Sequence, residues 1–231
     1  RLKEYPLETV DLNAFRAIVV HSEMKRTGNF TCGNEKVNQL YHNIIWGQKS
    51  NYLDIPTDCP QRDERLGWTG DAQVFCRTAA INFDVEKFFE KWLGDMAIEQ
   101  AHENGIVRGV IPVAMPHPTR ISAAWGDASC IIPWQLYEAY GNKKLLKQHL
   151  PMMKAWVDYI HRTGPEEFLW LGGYHYGDWL AMDAGEDSYV GATSNDLIAS
   201  AEAEDFGSTE ADNVRYAIQK ALDAIFAQPR Y

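Results

Sequence analysis

Apolar residues in this chain recur at intervals of three and four, segment after segment, while strand-like runs are few and short. After Gly33, the residues Val37, Leu40, Tyr41, Ile44 and Ile45 mark one face of a helix, with Asn34 as its N-cap and Glu35 in its first turn. Further helices are predicted from Asp71 to about Phe83, Asp84 to about His102, Asp127 to Tyr140 and Lys143 to Arg162, with a last one from Thr209 to about Ala227. Pro133 is expected to bend or interrupt its helix unless it falls in the first turn, and Gly141-Asn142 should separate the next pair. Trp46, Trp92, Trp134 and Trp156 fall inside these helices and are expected to pack in the core. The reading is a mainly α domain of helical pairs, joined by short turns on one side and long loops on the other. Residues 1–30, with the β-like run AIVV, read as a strand and linker from a preceding β region, which leaves 31–231 as the helical domain.

A weak internal repeat agrees with this. Gly70-Asp71, Gly126-Asp127 and Gly177-Asp178 recur 56 and 51 residues apart. Two helices with their connections occupy about 50 residues. Each Asp would then stand at a helix start, where a carboxylate meets free N–H groups, and all three would share one rim of an α/α toroid.

Composition removes several functions. A net charge of −10 argues against nucleic acid or an anionic membrane surface as the main partner. No apolar run is long enough to span a membrane. The cysteines Cys32, Cys59, Cys76 and Cys130 form no C-x-x-C pair, so reduced and mostly buried thiols are expected. The opening RLKEYPLETVDL has no basic-then-apolar leader pattern, which leaves the compartment open between cytoplasmic and periplasmic or secreted. Asn29-Phe30-Thr31 is a glycosylation sequon. Neither H-E-x-x-H, G-x-S-x-G nor a P-loop occurs, and the histidines show no metal-ligand spacing.

One segment stands apart. DCPQRDERLGWTGD, from Asp58 to Asp71, gathers four carboxylates, two arginines and a tryptophan among Pro and Gly. It reads either as a decorated surface loop or as an active-site loop. Trp125-Gly-Asp127 and Asp178-Trp179 again pair an indole with a carboxylate, and Tyr174, His175 and Tyr176 lie beside the latter. Indole faces and carboxylates suit a sugar, whose C–H faces stack and whose hydroxyls are held by Asp and Arg. Glycoside hydrolysis needs one protonated carboxyl and a second carboxylate. Asp63 and Glu64 are adjacent, and Glu64 has the longer reach.

DIPTDCPQRDERLGWTGDAQ (Asp54 to Gln73) resembles the signature of bacterial-type α-L-rhamnosidases of the inverting (α/α)6-barrel class. AAWGDASCIIPWQLYEAYG, YGDWL and ATSNDLIASA are similar to later segments of that domain, and the resemblance as a whole runs from about residue 10 to about residue 201. The resemblance implies hydrolysis of terminal α-L-rhamnosyl residues with inversion, and Glu64 as general acid. It implies that Asp58, Arg62 and Asp71 bind rhamnose hydroxyls, with Trp68, Trp125 and Trp179 as apolar walls. Asp127 and Asp178 are added as rim positions. The implied partner is a rhamnose-containing oligosaccharide or glycoside, and no cofactor or metal is implied. Another α/α-toroid glycosidase, or a sugar-binding module without catalysis, are the alternatives.

Two departures go with the resemblance. Nothing matches the family's general base, a glutamate from a hairpin well downstream, so none is assigned; Glu166, Glu167 and Glu186 are available carboxylates. The part of the chain after the linker holds about four hairpins of the six, and after SNDLIASA it turns acidic, AEAEDFGSTEAD, where an apolar inner helix is expected.

Overall fold

The computed structural model describes residues 9, 11–115, 120–165, 170–186, 188–203, 220–221 and 223–225. After a 3-10 turn at Leu12–Ala14 come α1 (Glu35–Asn51), the two-residue strands β1 (Tyr52–Leu53) and β2 (Ile55–Pro56), α2 (Thr69–Asn82), α3 (Glu86–His102), α4 (Ala128–Tyr140), α5 (Lys143–Thr163) and α6 (Asn195–Ala203). β1 and β2 pair antiparallel, Tyr52 opposite Pro56. The mainly α reading holds.

The caps explain the boundaries. Asn34 Oδ1 accepts from Lys36 N at 3.0 Å and starts α1. Asn142 Oδ1 does the same for α5, accepting from Lys144 N and Leu145 N. Gly141, at φ 69°, ends α4 in the left-handed conformation that glycine adopts without a Cβ penalty.

α4 is the centre of the packing. Every residue from Ala128 to Leu136 is buried, because α2 and α5 both pack against it and α3 meets α4 and α5. Phe89, Trp92, Leu93 and Met96 of α3 and Leu145, Leu146, Met153 and Trp156 of α5 fill the core around it. This burial carries α4 through Pro133 without a break, and α5 likewise runs through Pro151. The expected interruption at Pro133 does not occur.

Two further expectations need correction, and a third is mostly untested. On α1, Ile45 is buried, but Val37 and Leu40 are exposed and Trp46 is 43% exposed, with Lys49 Nζ 5.0 Å from its ring centroid. α1 lies at an edge: its buried Gln48 reaches Ala79 and Asn82 of α2, while Val37, Leu40 and Trp46 remain exposed. The AIVV run forms no strand; Ile18, Val19 and Val20 belong to no regular element and are exposed. Most of the helix expected at 209–227 lies outside the described residues.

The connections alternate as expected. Residues 83–85 and Gly141-Asn142 are short turns, whereas 52–68, 103–127 and 164–194 are long. None of the four cysteines is in a disulfide, and Cys59, Cys76 and Cys130 are buried. No helix among the described residues is long and apolar enough to cross a membrane.

Candidate active site

The first long connection folds back on itself. Asp58 N donates to Leu66 O at 3.0 Å, and Asp58 Oδ1 accepts from Leu66 N at 3.0 Å, so residues 59–65 form a closed lobe. The base of the lobe is anchored to the second connection. Ile111 N donates to Gly67 O and Thr69 N to Gly109 O, both at 2.9 Å, with Trp68 bridged to Val110 between them. Gly67 is required here, because a Cβ would run into the Ile111 carbonyl oxygen.

Within the lobe the charges sort by direction. Asp63 is fully exposed and pairs with Arg65 at 3.2 Å. Glu64 turns the other way, with its side chain 30% exposed. Its Oε1 accepts from Trp68 Nε1 at 2.9 Å and its Oε2 from Arg62 Nε at 2.8 Å. Arg62 Nη2 also reaches Asp58 Oδ2 at 3.3 Å, and the Asp58 side chain is only 6% exposed. One guanidinium thus spans two carboxylates and fixes their relative placement. The adjacent pair in the sequence does not act as a pair; the working neighbours of Glu64 are Arg62 and Trp68. Asp58, Cys59 and Glu64 also offer three donor atoms within 4.8 Å of one another, but Arg62 already supplies a positive charge to both carboxylates of that set.

Asp71 lies in the first turn of α2. Burial raises its carboxyl above the ordinary carboxylate range, and the nearby charges of Asp58 and Glu64 raise it further, while its own backbone amide and Arg62 oppose the shift. As a residue Asp71 is exposed, so solvent screens part of this shift. A raised acid favours the protonated folded state, so ionisation destabilises the fold. Asp71→Asn should therefore gain thermal stability relative to the parent as pH rises from about 4 towards neutrality, and lose that advantage below the unfolded value of about 3.9. Melting curves at pH 3.5 and pH 7 decide it; an advantage that is equal at both would remove Asp71 as the cause.

Tyr176, from the third long connection, brings the aromatic residues together. Its ring lies 4.5 Å from Trp125, 5.8 Å from Trp68, 5.8 Å from Tyr174 and 5.9 Å from Trp179. Trp125 also lies over Gly70, whose Cβ, if present, would stand 2.8 Å from the indole. A cavity of about 590 Å³ is lined by Asp58, Asp71, Trp125 and Trp179, with Tyr52 and Phe75 on its apolar side. A volume of this order accommodates a small organic ligand. Arg62, Glu64 and Trp68 do not line it; they join it through the Arg62–Asp58 bond and through Tyr176.

Not every expected residue faces the cavity. Asp178 is not among the lining residues, although Trp179 beside it is; the two lie in a turn closed by a Trp179–Val190 bridge and by Gly191 N donating to Asp178 O at 2.9 Å, so Gly177-Asp178 is not a helix start. The three-fold rim repeat fails there. Asp127 is 1% exposed, and both of its oxygens accept hydrogen bonds from the protein, from Trp156 Nε1 and from Ala124 N, each at 2.6 Å. Burial pushes its carboxyl up to about 6 against the opposing pull of those two donors. It presents no free oxygen to a sugar, which corrects its expected place among the binding residues. Tyr176 is absent from the expected binding residues; its only signal in the sequence is the YHY run just before Asp178-Trp179. His175 within that run is buried, its Nδ1 3.2 Å from Ala123 N. Glu166 and Glu167 lie outside the described residues, and Glu186 is exposed.

Comparison with known proteins places this geometry. Residues 25–204 match the bacterial alpha-L-rhamnosidase 6 hairpin glycosidase domain. An alpha-L-rhamnosidase of Formosa agariphila is 40% identical over 194 residues, covering 84% of this chain and 20% of that protein. One from Streptomyces avermitilis is 39% identical over 183 residues, 79% of this chain and 17% of that protein. Among solved structures, native α-L-rhamnosidase from Aspergillus terreus superposes with a TM-score of 0.75 at 38% identity, covering 90% of this chain and 23% of that one. The Streptomyces avermitilis enzyme complexed with L-rhamnose gives 0.69 at 34% identity, over 90% of this chain and 20% of that one. The chain spans about a fifth of the length of the curated relatives it matches.

Proposed function

The chain belongs to the bacterial α-L-rhamnosidase six-hairpin glycosidase family, and from that membership we propose that it hydrolyses terminal non-reducing α-L-rhamnosyl residues from glycosides with inversion at the anomeric carbon. The observation that carries the reading is the clamp on Glu64. A general acid must be held within reach of the leaving oxygen, and Trp68 Nε1 and Arg62 Nε hold Glu64 from both sides at the aromatic bowl. In the proposed step, Glu64 gives its proton to the glycosidic oxygen as the C1–O bond breaks. Water attacks C1 from the opposite face and gives up its proton to a second carboxylate. No residue of this chain is assigned that second role.

Asp58, Arg62 and Asp71 take the sugar hydroxyls in this reading, and Trp68, Trp125 and Trp179 take its C–H faces. Asp178, exposed beside Trp179, is kept as an outer hydroxyl ligand. The substrate is a rhamnose-containing oligosaccharide or glycoside.

The test is release of nitrophenol from an aryl α-L-rhamnoside by the chain, with and without azide, against mannoside, fucoside and glucoside controls. Rhamnoside-selective release is expected. Release that needs azide would place the acid and the pocket in this chain and the base outside it, since azide attacks without losing a proton. No release under either condition from a folded chain would overturn the hydrolytic reading in favour of a sugar-binding module.

A further inference from the structure

The geometry points to Asp127 as a positioning residue that holds Trp125 in its place as a wall of the sugar bowl, acting through the backbone of Ala124. The inference rests on the reading of Trp125 as a rhamnose-binding wall. Asp127 precedes α4 yet does not cap it; its side chain is directed to two other groups. Oδ2 accepts from Ala124 N, three residues back, at 2.6 Å, and Oδ1 accepts from Trp156 Nε1 on α5, also at 2.6 Å. Both bonds are at the short end for N–H donors on a carboxylate.

The Ala124 bond matters because of what Ala124 does. Its φ is 65°, a left-handed conformation that a residue with a Cβ holds only when its surroundings enforce it. That turn directs the next residue, Trp125, into a slot with Gly70 beneath the indole and the Tyr176 ring 4.5 Å away. The slot has no slack on the Gly70 side. Released from Asp127, Ala124 is free to relax to a right-handed or extended conformation, and Trp125 cannot follow without leaving the slot.

A carboxylate is the group this position requires. Both partners are N–H donors, and Asp offers an acceptor to each. An asparagine side chain offers one acceptor and one NH2, so either Ala124 N or Trp156 Nε1 would face another donor across a buried contact. Gly126 leaves no room to adjust, since a Cβ there would enter the Trp156 ring.

The experiment labels the chain with 5-fluorotryptophan and assigns the Trp125 fluorine resonance by its loss in Trp125→Phe. Asp127→Asn should shift or broaden that resonance before any sugar is added, and weaken rhamnose binding, read at the same resonance, by about tenfold, the scale of one aromatic contact. Trp156→Phe alone keeps the Ala124 bond and should leave the Trp125 resonance in place. In the double variant the amide NH2 introduced by Asp127→Asn no longer opposes an indole N–H, so the amide oxygen is free for Ala124. The Trp125 resonance and the affinity should then return towards the parent values. A Trp125 resonance unmoved in Asp127→Asn, or unrestored in the double variant, would overturn the proposal. Should the single variant fail to fold, the double variant decides alone: a folded protein with the parent Trp125 resonance supports the proposal, and any other result ends it. Rhamnose that leaves the parent spectrum unchanged would instead strike the rhamnose reading, while the resting resonances still judge Asp127.

Discussion

Glu64→Gln should lower turnover of rhamnosides with poor leaving groups by roughly 10²–10⁴-fold, the usual worth of a general acid, while activity on α-L-rhamnosyl fluoride stays within a few-fold of the parent. Fluoride departs with little help from a proton, so its release does not test the acid. The amide is nearly the same shape as the carboxyl and keeps one oxygen for Trp68 Nε1 or Arg62 Nε, so the bowl should stay assembled. Comparing kcat for aryl rhamnosides of graded leaving-group pKa with kcat for the fluoride separates the two contributions. A steeper dependence on the leaving group in the variant is the mark of a lost proton donor. Equal loss on both substrates would remove Glu64 from that role and leave it as part of the scaffold that holds Arg62.

The second large effect concerns stability. Gly67→Ala should unfold well below the parent temperature, although the change adds a single methyl. The new Cβ would meet the Ile111 carbonyl oxygen, and Trp92 Nε1 stands 3.3 Å away. That carbonyl accepts from Trp92 Nε1 at 2.9 Å, and Ile111 N donates to Gly67 O at 2.9 Å. Both neighbours are backbone or buried indole, so neither yields easily. Overpacking of this kind, with one of these buried donors left unpaired, costs on the order of 3 kcal/mol or more. At ~2–4 °C per kcal/mol for a domain of this size, the midpoint should fall by about 10 °C. Gly94→Ala is the matching control. Gly94 lies inside α3 with nothing within 4 Å of its Cβ position, so alanine there should stabilise by up to about 1 kcal/mol. If both changes moved the midpoint in the same direction, the clash at Ile111 would not be the cause.

The helices are legible in the sequence because their signals are local. Asn34, Asn142 and Gly141 stand at the helix ends where the sequence puts them, since a cap needs only the few residues around it. Burial is less legible. The period of α1 gives a face but not its neighbour, so Val37, Leu40 and Trp46 read as core and stand exposed at an edge. Pro133 misleads for the converse reason: a helix packed on several sides tolerates a missing N–H that an isolated helix does not.

At the site, the segment from Asp58 to Asp71 announces itself by composition, but the direction of its side chains does not show there. Asp63 and Glu64 are chemical neighbours in the sequence, and the backbone turns one to solvent and the other to Trp68. Asp127 shows the same limit. A Trp-Gly-Asp run looks like the rest of the rim, and only the bonds from Ala124 and Trp156 reveal that this carboxylate faces inward. Tyr176 is hardest to see, because its importance lies in partners about fifty residues or more away along the chain, at Trp68 and Trp125.

Tyr176 has a consequence for anyone who alters this site. Trp68, Trp125 and Trp179 come from three different loops, and each of them packs on Tyr176. Their energetic effects are therefore conditional on one another: trimming one indole lets the tyrosine tilt, and the other two walls inherit the tilt. Single-site scans would misjudge such a trio, since the sum of the separate losses need not equal the combined one. A library that diversifies the three tryptophans one at a time explores fewer pocket shapes than one that varies them together with Tyr176.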